Sequence, residues 1–263
     1  MPAAIQLTSG YYTAAAAGTG TATPMTGDTF TVPSFTLSSP AYLEQVWASG
    51  ADTDFVRIRS PRMHDANQGI RLITGSGNLE RSLLPGGTNQ PLYPSDTPIV
   101  EIDQTAAATG AICALYGFTD LPGVNPQLSD WAGISGRIAQ ISGVQVNLGA
   151  VGAIGAYSAG NAINSTYDNF EAGASYALLG YEVSSACLAI AVQGQDTGNL
   201  KMGGPGSADP FTTRDWFIRL SRESGRAYIP IINANNKGST NVYQTDSSAH
   251  AAQNVTLIMA ELS

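Results

Sequence analysis

Helical periodicity is nearly absent from this chain, and short runs of alternating or continuous apolar residues recur instead between clusters of Gly, Pro, Asn, Asp and Ser. They fall at residues 30–37, 42–47, 55–58, 99–102, 111–116, 144–146, 176–183, 187–192 and 255–259. Runs of this length, punctuated by turn formers, read as strands, and many short strands in series make a sandwich or a barrel. The fold class expected is all-β. Two stretches carry helix signals. Residues 78–84 open with Asn78 in a capping position and stop at Pro85-Gly86; residues 213–225 place Thr213 as cap and Asp215 in the first turn. In the second, Trp216, Phe217 and Leu220 share one face and Gly225 closes the run. The Ala-rich stretches 13–23 and 148–162 hold too many glycines for a stable helix and read as loops or extended segments packed against other backbone.

One plan runs through the chain twice. Ala4-Ile5-Gln6-Leu7 resembles Gly143-Val144-Gln145-Val146 at an offset of 139, and each is followed by an Ala/Gly-rich stretch. Asp28-Thr29-Phe30 matches Asp168-Asn169-Phe170 at 140, residues 42–47 parallel 179–183, and Gly69 to Leu72 parallels Gly198 to Met202. Each half then offers its helical segment, a Pro/Gly-containing stretch leading to Asn89 or Asn233, and two closing strands. The Pro/Gly/Asn-rich stretch 119–127 suits the break. The expected division is residues 1–120, a linker at 121–135, and residues 136–263. About eight strands per half, with few tight hairpin signals, favour two tandem jelly rolls with short helices in the loops over up-and-down barrels.

Those paired segments, with helix-bearing loops at matching places, resemble the double jelly-roll major capsid proteins of tailless icosahedral bacteriophages over nearly the whole chain. The resemblance implies a homotrimer whose six barrels form a pseudo-hexagonal capsomer, neighbouring capsomers and minor capsid proteins as partners, and a place in the virion. Many members of that family enclose a lipid membrane, so a membrane beneath the shell is an open expectation. This chain departs from the family in having no basic N-terminal arm, which weakens any expectation of direct contact with membrane or genome.

Composition bears on the same question. Charged residues make up only 12% of the 263, and the formal net charge is −8. Nucleic-acid backbones call for a dense cationic face, so no direct nucleic-acid partner is expected. A surface poor in Lys and Glu suits large permanent interfaces, where every unpaired charge costs desolvation. The first residues lack the charged and apolar regions of a secretory signal, and no apolar run reaches 18 residues, so synthesis in a host cytoplasm is expected.

The chemical constellations point nowhere in particular. Cys113 and Cys187 sit in apolar runs and read as buried thiols; His64 and His250 lie in turn-like polar stretches. Gly149-Ala-Val-Gly-Ala-Ile-Gly155 lacks the spacing and context of a phosphate cradle. Asp52 and Asp54 could share a hard cation, against the plainer reading of a solvated Asp turn. No catalytic, cofactor-binding or metal-binding residue is assigned, and the chain is expected to be a structural protein rather than an enzyme. Two other readings stay open: a decoration, cement or tail protein of a tailed phage, and a carbohydrate-binding or glycan-cleaving tandem β-sandwich.

Overall fold

A computed structural model describes residues 4–32, 41–50, 52–63, 65–74, 84, 89–119, 121–151, 153–183, 186–207 and 209–263, apart from the side chains of 65–67. The chain is mostly β. A first set of strands comprises β1 (Ala4–Thr13), β2 (Gly18–Thr21), β3 (Thr23–Pro24), β4 (Ala41–Ser49), β5 (Thr53–Ser60), β6 (Asp65–Ile73), β7 (Gln90–Leu92), β8 (Ile99–Gln104) and β9 (Thr109–Phe118). A second set comprises β10 (Leu128–Ser129), β11 (Ile138–Leu148), β12 (Asn161–Ala162), β13 (Ser175–Glu182), β14 (Cys187–Gln193), β15 (Met202–Pro205), β16 (Ile229–Asn233), β17 (Asn241–Asp246) and β18 (Gln253–Leu262). Among the described residues all strand pairings are antiparallel. The first set forms the sheets β3-β1-β9-β4-β7 and β2-β8-β5-β6, the second the sheets β10-β16-β13-β18-β11 and β12-β17-β14-β15.

With the extra edge strands β3 and β10 set aside, the two sets have one strand order. β1-β9-β4-β7 corresponds to β11-β18-β13-β16, and β2-β8-β5-β6 to β12-β17-β14-β15. Two of the ladder irregularities correspond as well. The β4/β9 ladder slips between Leu43 and Gln45, and β13/β18 slips between Leu178 and Gly180. The β5/β8 ladder slips between Thr53 and Phe55, and β14/β17 between Cys187 and Ala189. A bulge adds one unpaired residue and re-aims the strand, so shared bulges fix the equivalence residue by residue. Leu115 corresponds to Ile258, and their partners across the ladder make Leu7 the equivalent of Gly143 and Ile5 that of Ile141.

This corrects the register read from sequence. Ile5 aligned there with Val144, three residues from its structural counterpart. An odd slip exchanges the two faces of a strand. Val144 points into the sandwich of its own set, whereas Ile5 and Ile141 point away from theirs. The alternations around Ile5 and Val144 look alike, and alternation alone does not say which face is which.

Most of the expected strands form where the apolar runs lie. The run 30–37 differs: 30–32 are not in a strand, and 33–37 lie outside the described residues, as do 78–83 of the first expected helix. The second expected helix is two. α2 (Pro210–Thr213) begins behind the Asp209 cap, whose carboxylate accepts from the Phe211 N–H at 3.0 Å, and α3 (Trp216–Ser224) ends at Gly225 with φ 66°. Proline at the first helical position starts the turn early, so Thr213 is a buried residue of α2 rather than a cap. The stretch 121–135 is not bare linker either: it holds β10 and the short helix α1 (Trp131–Ser135), capped by Asp130. Among the described residues no helix is long and apolar enough to cross a membrane.

One apolar cluster fills the first set, with Leu43, Val46, Val56, Ile58, Ile102, Ile112 and Phe118 among its members. The larger cluster fills the second set, and it also takes in Ile5, Leu7, Trp47, Cys113 and Leu115 from the first. In β9 every residue but Thr109 is buried, because both faces of that strand are covered.

Candidate functional site

The alternation in β1 and β9 sends Ala4, Ile112 and Ala114 into the first set's own core and Ile5, Leu7, Cys113 and Leu115 to the opposite face. That opposite face is roofed by the second set, with β15 lying against β1, β4 and β9. The Leu7 N–H, on the outer edge of β1, donates to the Lys201 carbonyl at 2.8 Å, and the Thr26 N–H donates to the Gly155 carbonyl at 2.7 Å. Trp47 stacks obliquely on Trp216 of α3, ring centres 4.7 Å apart. Burial pushes the Cys113 thiol up to about 12, so it stays neutral and packs as an apolar group.

Two buried ionic clusters cross the same contact. The Asp28 carboxylate accepts from the Ser9 N–H at 2.9 Å within its own set, and from Lys201 Nζ at 2.6 Å and Tyr157 Oη at 3.0 Å in the other. Lys201 Nζ also lies 4.2 Å from the centre of the Tyr157 ring. Burial raises the Asp28 pKa above its ordinary value and Lys201 pulls against it; burial wins. In the second cluster Glu44 Oε2 accepts from Tyr228 Oη at 2.9 Å and from Arg226, while its Oε1 is buried with no hydrogen-bond partner. Glu44 is the extra residue of the β4 bulge, which turns it out of the ladder and toward the second set. Contacts between domains of one chain are ordinarily polar and mobile. Here the contact is apolar, with its charges buried and paired, and it joins the two sets into one body.

Sequence reasoning missed these clusters. The signal available was Glu44 inside the apolar run 42–47, since a carboxylate on a buried strand has to find a partner. That partner lies 182 residues away and could not be named. The residues it did single out are scattered. Cys113 and Cys187 are buried free thiols, as expected. His250 bonds Ser248 Oγ at 2.9 Å through Nε2, and His64 lies outside the described residues. Asp54 is exposed and pairs with Arg71 at 3.9 Å, while Asp52 uses its carbonyl to accept from the Thr105 N–H at 2.8 Å. Among the described residues no three His, Cys, Asp or Glu side chains converge as metal ligands. A polar depression of about 340 Å³ lies beside Gln127, Ser175, Asn233 and Asn236. Its carboxylate, Asp196, is taken up by the Asn233 N–H and Asn236 Nδ2, both at 2.8 Å.

No protein-family model and no curated protein matches this chain. Among solved structures it is similar to a conserved protein of unknown function from Pseudomonas aeruginosa PAO1, at 9% identity over 98% of this chain and 84% of that one, with a TM-score of 0.20. It is also similar to the major capsid protein P2 from bacteriophage PM2, at 9% identity over 98% of both chains, with a TM-score of 0.19. Scores this low leave fold and role to rest on the strands and surfaces of this chain.

Proposed function

We propose that this chain is a viral structural protein: the major capsid subunit of a tailless icosahedral bacteriophage, working by self-assembly and not by catalysis. In this reading residues 1–120 and 136–263 are two jelly rolls. The observation that carries it is the repeated strand order. In each set the eight main strands are shared between two four-stranded sheets in the sequence that two interleaved Greek keys produce. Two like blocks held rigidly side by side give a trimer six similar corners, so that one subunit can tile with similar contacts in every direction. The 12% charged fraction supports the same reading, since surfaces destined for permanent burial are depleted in charge. The partners are then further copies of this chain and the minor proteins of the particle, with the virion as its location.

Size-exclusion chromatography with light scattering tests it: three chains of 27.3 kDa are expected in one species. A monomer persisting at tens of micromolar would overturn the reading. Counting copies in native particles separates a major subunit from a decoration protein, which would be outnumbered by another shell component.

A further inference from the structure

The contact inside the chain uses two surfaces, and each has an unused counterpart. The first surface is the outer face and edge of β1 and β9, covered by the second set. Its counterpart is the outer face and edge of β11 and β18. Ile5 is 1% exposed but its equivalent Ile141 is 58% exposed; Leu7, Cys113 and Leu115 are buried, whereas Gly143 is exposed and Thr256 and Ile258 are half-buried. The second surface is β15 with the residue before it, Met202 to Gly206 being buried throughout. The ladders to β5 and β14 make β6 its counterpart: Ile73 faces Phe55 where Pro205 faces Ala189, so Ile73 stands for Pro205 and Gly69 for Lys201. Pro205 is buried and Ile73 is 66% exposed. Ile141 and Ile73, both large and apolar, are therefore exposed at positions whose equivalents are buried in the internal contact. β11 and β6 are also the terminal strands of their sheets, so neither has a strand on its outer side among the described residues.

We infer that the β11/β18 face of one chain seats the β6 edge of a second copy, repeating between chains the contact already made within one. This rests on the assembly reading above and names its interface. The two uncovered surfaces are the equivalents of two that already fit each other, and they lie on different halves, so the contact is head-to-tail: each chain offers one face and one edge, and a closed ring of three engages all of them.

Two variants and their mixture test this. Ile141→Asp damages the face and leaves the edge intact; Ile73→Asp does the reverse. Both residues are exposed, so the melting temperature reports whether each variant still folds. Each alone is expected to raise the protein concentration at which the trimer half-dissociates by about tenfold or more. Mixed together, they share one undamaged contact and are expected to form a dimer containing one chain of each. Wild-type trimers with both variants still trimeric would overturn the inference and leave the assembly reading standing. So would variants that dissociate but yield no mixed dimer, since a head-to-tail contact requires one. A monomeric wild type overturns both.

Discussion

At the scale of single residues, charge is used sparingly and each buried charge is tied to something. Asp28 and Lys201 illustrate what that tie is worth. Removing one member of a buried pair typically costs about 3–5 kcal/mol, because the other is left charged and unpaired. Lys201→Met is therefore expected to destabilise the fold by about 3 kcal/mol near neutral pH. The loss should shrink on acidification, because a protonated Asp28 needs no counter-charge and burial already favours its neutral form. Denaturant melts of wild type and variant at pH 7 and pH 5 would check this; an equal gap at both is the contrary result. Glu101 behaves in the opposite sense. Hydrogen bonding from Arg59, with Arg57 beside it at 2.5 Å, holds its carboxyl below the ordinary 4.5. Its folded pKa is depressed, so the stabilisation is complete above the ordinary value and is lost as pH falls toward the folded one. The acid limb of a plot of melting temperature against pH is expected to be shallower in Glu101→Gln than in wild type.

At the scale of elements, α3 does more than close a loop. Trp216, Phe217 and Leu220 are buried, and Trp216 meets both Trp47 of β4 and Tyr181 of β13. Truncating a buried aromatic of this size costs about 3–5 kcal/mol, and Trp216→Ala is expected to fall in that range by chemical denaturation. Trp216→Phe should cost distinctly less. The indole N–H is buried without a hydrogen-bond partner, so its removal relieves one unsatisfied donor while most of the ring contact remains. Equal losses for the two variants would mean that the indole edge matters more than the ring.

At the scale of the whole molecule, the larger apolar cluster takes members from both strand sets, and two ionic clusters cross between them. Two blocks joined this way should not melt independently. Calorimetry is expected to give one transition whose van't Hoff and calorimetric enthalpies agree. Two resolved transitions would mean that the contact is weaker than its burial implies.

Part of this molecule was legible before folding. The apolar runs marked most of the strands, the face of Trp216, Phe217 and Leu220 marked a buried helix, and the repeated order of segments marked two like halves. These are local properties: a period of two or 3.6 residues is written into neighbouring positions and needs no distant partner to read. The sequence determined that β1 alternates; only the tertiary structure decided that Ile5 and Leu7 face the other strand set instead of their own sandwich. It likewise decided that Glu44 would meet Arg226, and that Ile141 would stay bare where Ile5 is covered. An alternating pattern says that one side of a strand is buried, but what lies over that side is set by bulges, ladder register and the docking of segments more than a hundred residues apart. Those contacts exist only once the whole chain has closed on itself.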